Sequence, residues 1–573
     1  MKETKRRTFL KRVTAVSAIT ILNPNITLGT IKKELQGHPS GQIILDSNHL
    51  SVAQRSRRIV VNLDTGWGLP GVEGLEPKEF VDAYMEYLTG IDGSQVDSIW
   101  WCWGEMNYAP YPSKILPANL QYQKWLQQGK DPLPIVIESS KKKGIEAFYS
   151  FRINDSGLGG AGTVLPSEGW IKWSMIEKNP HWGQPSPFWP SPFYHYNFAV
   201  PEVREYKLAI IREVVENYDF DGIEIDWRCG YGCLPFYHKW ENREHLTEFM
   251  HSVREMLQER ARKRGRPFLL AVRIPENIEG CHYDGIHVER WVEENLVDIL
   301  VLGCKNFDVD LDAFKRLTAG THIKLYPSMD DHHRASGYEQ PSIELYRGVA
   351  STFIQQGADG IYAFNWYPVP IILDSRANPE QEQLRRTALC EMGSTETLKF
   401  KDKIFVTGRR GGGGWPETAE YFYKNTCAFA QLPKELSNNQ SEEAYIFLRI
   451  GDDIDTSADK IEQISLRILL SDVTAIDLPW EKRISKPVCI ARLSSRDFNE
   501  PPTIDLISQL RIRINGVILE QPIINDGWII YPIKAVLLAQ GSNVIAFRLN
   551  DRNPLEKGRV TIEKLELDVR YTN

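Results

Sequence analysis

Between residues 57 and 395 the chain alternates short apolar runs with segments whose apolar residues recur at helical spacing. The runs are RIVVNLD (58–64), VDSIWWCW (96–103), GIEAFYSFRI (144–153), DGIEIDW (221–227), FLLAVRI (268–274), VDILVLG (297–303), IKLYPS (323–328) and DGIYAFNW (359–366). Between them, stretches such as PKEFVDAYMEYLTG, VREYKLAIIREVVENY, REHLTEFMHSVREMLQERARK and ELYRGVASTFIQQG place apolar residues on one helical face. Pro201 opens the second of these, where proline suits a first helical turn. Strands joined by helical crossovers form a parallel sheet, and eight of them predict an α/β fold of the (β/α)8 TIM-barrel type over residues 50–395.

The pattern changes near residue 390. Gly408-Arg409-Arg410, then Gly411 to Gly414 and Trp415, reads as flexible punctuation. Beyond it the period is two: EEAYIFLRI, QISLRILLSD, QLRIRINGVIL, GWIIYPIKAVL, NVIAFRL and VTIEKLELDVRY, with Asn515-Gly516 as a hairpin turn. Residues 396–573 are expected to form an all-β sandwich. Ile514 to Val517, Trp528 and Gly541 to Ile545 resemble jelly-roll accessory domains found beside glycosidases. Such a domain either binds sugar or buttresses the barrel.

A barrel turns its strand ends into a list of functional candidates, because the loops at the C-terminal mouth carry the chemistry. Asn62 and Asp64 end strand 1, and Trp101, Trp103 and Glu105 end strand 2. Arg152, Asn154 and Asp155 follow strand 3, Glu224, Asp226 and Arg228 strand 4, and Arg273 and Glu276 strand 5. Lys305 follows strand 6; Tyr326, Asp330, Asp331 and His332-His333 belong to strand 7, and Asn365 and Trp366 to strand 8. Strand 4 is the most informative. Glu224 and Asp226 share one face of a strand expected to be buried, and burying a carboxylate costs several kcal/mol unless it is paired. The bland alternative is that these acids tie down the barrel interior.

Composition narrows the function classes. The 573 residues carry a net charge of −7 with 42% hydrophobic residues, which argues for a globular protein and against nucleic acid as a partner. Lys5-Arg6-Arg7-Thr8-Phe9-Leu10-Lys11 resembles a twin-arginine export signal, and the apolar stretch Val13 to Leu22 is too short to span a bilayer. Residues 1–35 are therefore expected to be a leader, and the mature protein to lie in the periplasm or outside the cell without a membrane span. Eight cysteines show no zinc-type spacing; Cys229 and Cys233 are near enough to form a disulfide or to stay reduced.

Residues 154–200 form a long connection rich in Trp and Tyr, including Trp170, Trp173, Trp182, Trp189, Tyr194 and Tyr196. Long loops in compact domains are usually functional, and aromatic rings stack on sugar C–H faces; a local core beneath the loop is the other reading.

The barrel resembles a group of (β/α)8 proteins labelled glycosyl-hydrolase-like, or family-10-like. The matching pieces are Ser150-Phe151-Arg152-x-Asn154-Asp155, Pro201 to Tyr206, DGIEIDW at 221–227, Ala271 to Pro275, Val297 to Val301 and Ala358 to Tyr362. The resemblance implies a carbohydrate substrate. Strand 4 also looks like the acidic run of chitinase-like barrels, with Asp221, Glu224 and Asp226 in its first three acidic places; Arg228 stands where their catalytic acid would be, against that chemistry. Asp226-Trp227 is similar to the strand-4 nucleophile of retaining α-glycosidases.

Glycosidic cleavage generally uses two carboxyl groups, one protonating the leaving oxygen and one acting as nucleophile or base. The expectation is Asp226 as nucleophile or base, held ionised by Arg152, Arg273 or Arg228, Glu276 as acid, and Glu224 fixing Asp226 from below. Asp330 and Asp331 compete with Glu276 for the acid role. Arg152, Asn154, Asp155, Arg273, Tyr326, Asp330, Asn365, Trp366 and Trp101 are expected to contact substrate, with no metal and no cofactor. Two other readings stand beside this one. One is a metal-dependent isomerase or epimerase using Glu224, Asp226, Glu276, Asp330 and His332; the other is a barrel that binds carbohydrate without catalysis.

Overall fold

The structure is a computed structural model that describes residues 41–65, 74–105, 108–119, 122–154, 175–185, 194–228, 232–303, 307–330, 338, 341–366, 378–409, 430–471, 504–550 and 560–572. The leader, Asp155, Cys229, Lys305, Asp331, His332 and His333 lie outside these residues. Among the described residues no helix is long and apolar enough to cross a membrane.

All eight predicted barrel strands form: β1 Ile59–Asp64, β2 Val96–Glu105, β3 Glu146–Arg152, β4 Gly222–Asp226, β5 Leu269–Ile274, β6 Ile299–Leu302, β7 Lys324–Asp330 and β8 Ile361–Phe364. Each pairs in parallel with its sequence neighbours, and β8 closes on β1. Alternation sorts the side chains into two layers. Val60, Trp100, Phe148, Leu269, Ala271, Ile299, Val301, Tyr326, Tyr362 and Phe364 fill the lumen. Val61, Leu63, Ile99, Trp101, Ile223, Ile225 and Val272 face the helices. The Trp100 and Phe148 rings stack at 4.8 Å, and Gly222 makes room for them, since a Cβ there would lie 2.4 Å from the Phe148 ring. Below this layer Arg57 donates to Glu146 at 2.6 and 2.7 Å, and Ser98 joins at 2.8 Å, plugging the N-terminal end of the lumen with a neutralised pair.

One device recurs four times. An aspartate at or just before the start of each even-numbered strand accepts the backbone N–H at the start of the preceding odd strand. Asp97 takes Arg58 N at 2.8 Å, Asp221 takes Ala147 N at 2.9 Å, Asp298 takes Leu270 N at 2.8 Å and Asp359 takes Leu325 N at 2.9 Å. These brackets satisfy backbone amides at the beginnings of the odd strands, Arg58 N just ahead of β1 and the others at the second residue of β3, β5 and β7. Asp298 is the most deeply placed: His49 at 2.8 Å, His322 at 2.9 Å and Arg254 at 2.9 Å surround it, and the arginine holds its carboxyl well below the usual range against the cost of burial.

The C-terminal region contains two antiparallel sheets, as the period-two pattern predicts. Strands Lys403–Val406, Thr561–Tyr571, Ile461–Ser471, Trp528–Pro532 and Ile523–Asn525 lie side by side, with Lys434–Glu435 also on Thr561–Tyr571. Ala444–Ile450, Gly541–Leu549, Leu510–Ile514 and Val517–Ile518 form the other sheet. Residues of both, among them Leu466, Ile468, Leu565, Leu567, Ile446, Leu448, Ile512 and Phe547, share one hydrophobic core, which makes the pair a sandwich. Asn515 (φ 48°) and Gly516 (φ 88°) form the two-residue hairpin turn, where left-handed φ suits this pair.

Of the stretch Gly408 to Trp415 read as flexible punctuation, Gly408 and Arg409 are held in place, and Arg410 to Trp415 lie outside the described residues. Gly408 N donates to Asp308 at 2.9 Å, and buried Arg409 pairs with Glu563 at 2.7 Å, so this stretch is bonded to both the barrel and the sandwich. Strand Lys403–Val406 already belongs to the sandwich and lies against the barrel helix Ile343–Gln355. Gly348 permits that approach, because a Cβ there would stand 2.1 Å from the Ile404 carbonyl oxygen. Buried Lys403 reaches Asp452 at 2.8 Å, and Arg449 reaches Asp312 of the barrel at 3.0 Å.

Truncating the leading aspartates should separate them by burial. Asp298→Ala strips the counter-charge from a buried arginine and is expected to cost about 3–5 kcal/mol. Asp97→Ala, whose partner Arg58 is largely solvated, should cost about 1 kcal/mol. Urea unfolding of the two variants measures both, and equal losses would refute the ranking.

Candidate active site

The site is built in two tiers at the C-terminal half of the lumen. In the lower tier Glu224, on β4, is wholly buried. Tyr362 on β8 donates to its Oε1 at 2.6 Å, and Asn62 on β1 donates to its Oε2 at 3.2 Å, while the Ser150 hydroxyl on β3 donates to the same oxygen. Donors from three strands thus converge on one carboxyl. Burial, reinforced by the charge of Asp226, pushes Glu224 up to about 7, against the opposing pull of Arg273, Ser150 and Tyr362. Burial keeps the Tyr362 phenol protonated far above its ordinary range, so it remains a donor.

Asp226 forms the upper tier, two residues farther along β4 and on the same face. Its Oδ2 accepts from Arg273 Nη2 on β5, and its Oδ1 accepts from the backbone N–H of Arg228 at 2.9 Å. Arg273 is itself buried, with its guanidinium carbon 3.7 Å from the centre of the Phe364 ring on β8. On the opposite side Arg152 Nη2 donates to Asp64 at 2.6 Å and to Asn365 at 2.8 Å. Asn365 sits at φ 44°, a conformation asparagine tolerates better than most residues, and this turns the chain at the end of β8.

Glu276, just past β5, lies 3.4 Å from Arg228, whose other terminal nitrogen is 3.5 Å from Asp284. Lys239 adds a 3.0 Å contact to Asp284. Arg228 therefore joins the two expected catalytic carboxylates, touching Asp226 through its backbone and Glu276 through its side chain.

The structure brings together Glu224, Asp226, Arg273 and Glu276 in one network, with Arg152 and Asn365 in another at the same end of the barrel. Other expected substrate contacts are placed elsewhere. Trp101 lies fully buried in the helix-facing layer, stacked 5.6 Å from Trp103 and edge-on to Tyr84 at 6.1 Å. Trp366 also faces the helices, 5.5 Å from Tyr346. Tyr326 is in the lumen but beside the Arg57–Glu146 plug, far down the barrel. Asn154 is buried and accepts Tyr196 N at 2.9 Å, anchoring the short hairpin of Gly183–Pro185 and Tyr194–Tyr196. Asp330 ends β7 in register with Phe364, and its side chain is outside the described residues, as is Asp155. Of the aromatic connection, Trp182 and Tyr196 belong to the main core, which corrects the sugar-stacking reading for these two.

Ser150, Tyr362, Asp284 and Lys239 were not expected at the site. Ser150 was legible as the residue two before Arg152 on the same face; Asp284 and Lys239 carry no comparable signal. Among the described residues no group of three or more His, Cys, Asp or Glu side chains is arranged to hold a metal ion. Cys233 and Cys281 are free and buried.

Residues 80–245 match the family model Glycosyl hydrolase-like 10, a span that includes β2 to β4 and Asp226 but ends before Glu276. No curated protein matches the chain. Among solved structures, alpha-L-fucosidase isoenzyme 2 from Paenibacillus thiaminolyticus is similar at 16% identity and a TM-score of 0.40, over 61% of this chain and 51% of the fucosidase. This chain thus spans about half the length of that protein. The PgaB (BpsB) glycoside hydrolase domain from Bordetella bronchiseptica is similar at 11% identity and a TM-score of 0.37, over 58% of this chain and 98% of that domain. The alpha-amylase of Geobacillus thermoleovorans is similar at 10% identity and a TM-score of 0.36, over 91% and 100%. At these identities the likeness does not extend to function.

The buried carboxyl of Glu224 links stability to pH. Its folded value of about 7 exceeds the ordinary 4.5, so between these values the folded protein keeps a proton that the unfolded chain has released. That contribution to stability is complete below the lower value and is lost as pH rises through the upper one. Urea midpoints measured across this range should fall more steeply for the wild type than for Glu224→Gln, which has no proton to lose. Parallel curves would show that Glu224 does not titrate there.

Proposed function

We propose that the barrel hydrolyses glycosidic bonds in an oligo- or polysaccharide, with Asp226 as nucleophile or base and Glu276 as general acid. The observation that carries this reading is Asp226 itself: a carboxylate at the mouth end of β4, bonded to buried Arg273 and joined through Arg228 to a second carboxyl group. Two carboxyl groups are the usual apparatus of glycoside hydrolysis. The match to Glycosyl hydrolase-like 10, which spans Asp226, supports the substrate class. The leader's likeness to a twin-arginine signal supports action outside the cytoplasm.

Each residue then has a task. Arg273 orients the Asp226 carboxylate, which attacks the anomeric carbon or takes a proton from water. Glu224, protonated for part of the neutral range, lowers the repulsion that a second full charge beneath Asp226 would create. Arg152 binds substrate hydroxyls, a role supported by its orientation on Asp64 and Asn365. Glu276 delivers the proton to the departing oxygen, and Arg228 positions it.

A reducing-sugar release screen over a polysaccharide and oligosaccharide panel tests the reading. Asp226→Asn is expected to lose at least about 100-fold in turnover while its circular dichroism spectrum stays that of the wild type. Glu276→Gln should lose far less on dinitrophenyl glycosides, which need no proton on the leaving group, than on natural linkages. Turnover that survives Asp226→Asn would move the chemistry off β4, and equal losses on both leaving groups would remove Glu276 as the acid.

A further inference from the structure

The loops that follow β4 and β5 carry an aromatic surface that the catalytic assignment does not use. Tyr237 is 78% exposed and Tyr283 44% exposed, both unusual for aromatic side chains so close to a barrel mouth. Tyr237 also adopts φ 70°, a left-handed conformation that costs a non-glycine residue energy and persists only where the surroundings impose it. Those surroundings are visible. Tyr237 lies in a turn closed by His238 N donating to Pro235 O at 3.1 Å. Leu234 before the turn is buried, and Gln184 holds its carbonyl at 2.8 Å. After the turn Asn242 donates to His238 O from its backbone and, at 2.8 Å, from its side chain. The ring is therefore displayed on a braced support.

Tyr283 ends the short helix Ile278–Tyr283, which begins two residues past Glu276 in the same connection. Lys239 spans the two loops, with its ammonium 4.8 Å from the centre of the Tyr283 ring, 5.6 Å from that of Phe236 and 3.0 Å from Asp284. Asp284 in turn meets Arg228, the residue that joins Asp226 to Glu276. A chain of charged contacts thus runs from Tyr283 through Lys239, Asp284 and Arg228 to Glu276, and the Arg228 backbone N–H continues it to Asp226. Trp240 beside them is a prop instead, with Arg243 4.4 Å over its ring and His282 4.5 Å from its centre.

We propose that Tyr237 and Tyr283 form an outer subsite that stacks on the pyranose rings of a polysaccharide beyond the bond that is cleaved. The proposal rests on the hydrolase reading and extends it, making the substrate a chain of several sugars. A protein partner would also cover exposed rings. The continuity with the carboxylate site favours a ligand that reaches both, and the apolar faces of successive pyranoses suit rigid aromatic rings with polar edges.

Affinity electrophoresis of the full chain in gels cast with soluble starch, dextran, xylan or polygalacturonate tests this directly. Wild type should be retarded by at least one polymer, and Tyr237→Ala and Tyr283→Ala should each weaken that retardation about tenfold in dissociation constant at an unchanged thermal midpoint. Retardation that both variants keep would overturn the proposal, and so would a wild type that none of the four polymers retards. The hydrolase reading is tested separately by sugar release. Tyrosine-dependent retardation without turnover would leave the subsite standing and remove the hydrolase, and turnover without retardation would do the reverse.

Discussion

The ion pair between Arg273 and Asp226 holds the upper half of the barrel together. A guanidinium with no exposure, lying flat on Phe364, would be costly without an anion, and Asp226 is the anion that meets it. The pair joins β4 to β5, and the stacking contact reaches across the lumen to β8. Its charge also shapes the tier below, since Arg273 opposes the rise that burial and Asp226 impose on Glu224. A barrel centre closed by hydrocarbon would be easier to stabilise. This one carries Glu224, Asp226 and Arg273 above the apolar layer of Trp100 and Phe148, and those polar groups are where the candidate chemistry lies.

Much of this was legible in the chain. Apolar runs punctuated by helical spacing located all eight barrel strands, and the strand-4 run placed Glu224 and Asp226 on one lumen face. The errors share a cause. A strand of a parallel barrel is buried on both sides, so hydrophobicity does not say which side is the lumen. Trp100 and Trp101 are adjacent and chemically identical, yet one stacks inside the barrel on Phe148 and the other packs against the helices. Trp366 follows a residue with positive φ, where simple alternation ends. The role of Asn154 depends on Tyr196, 42 residues away, and the role of Asp284 on two side chains of the loop after β4. Neither relation leaves a periodic trace.

The sandwich is fixed to the barrel by close backbone contact as much as by charge. Gly348 lets helix Ile343–Gln355 approach the Ile404 carbonyl, and Gly451 plays the same part against Ser351, where a Cβ would lie 2.3 Å away. Larger residues at either point would push the two layers apart. That helix joins β7 to β8, so the sandwich bears on the segment that closes the ring.

The four leading aspartates divide the ring in a way that strand count alone does not. Each ties an even strand to the odd strand before it, so the barrel is composed of four two-strand modules, each carrying its own clasp. A chain break placed between modules leaves every clasp whole, whereas a break inside one parts a carboxylate from the amide it holds. Circular permutants of this barrel should therefore fall into two classes by whether their new termini precede an odd or an even strand.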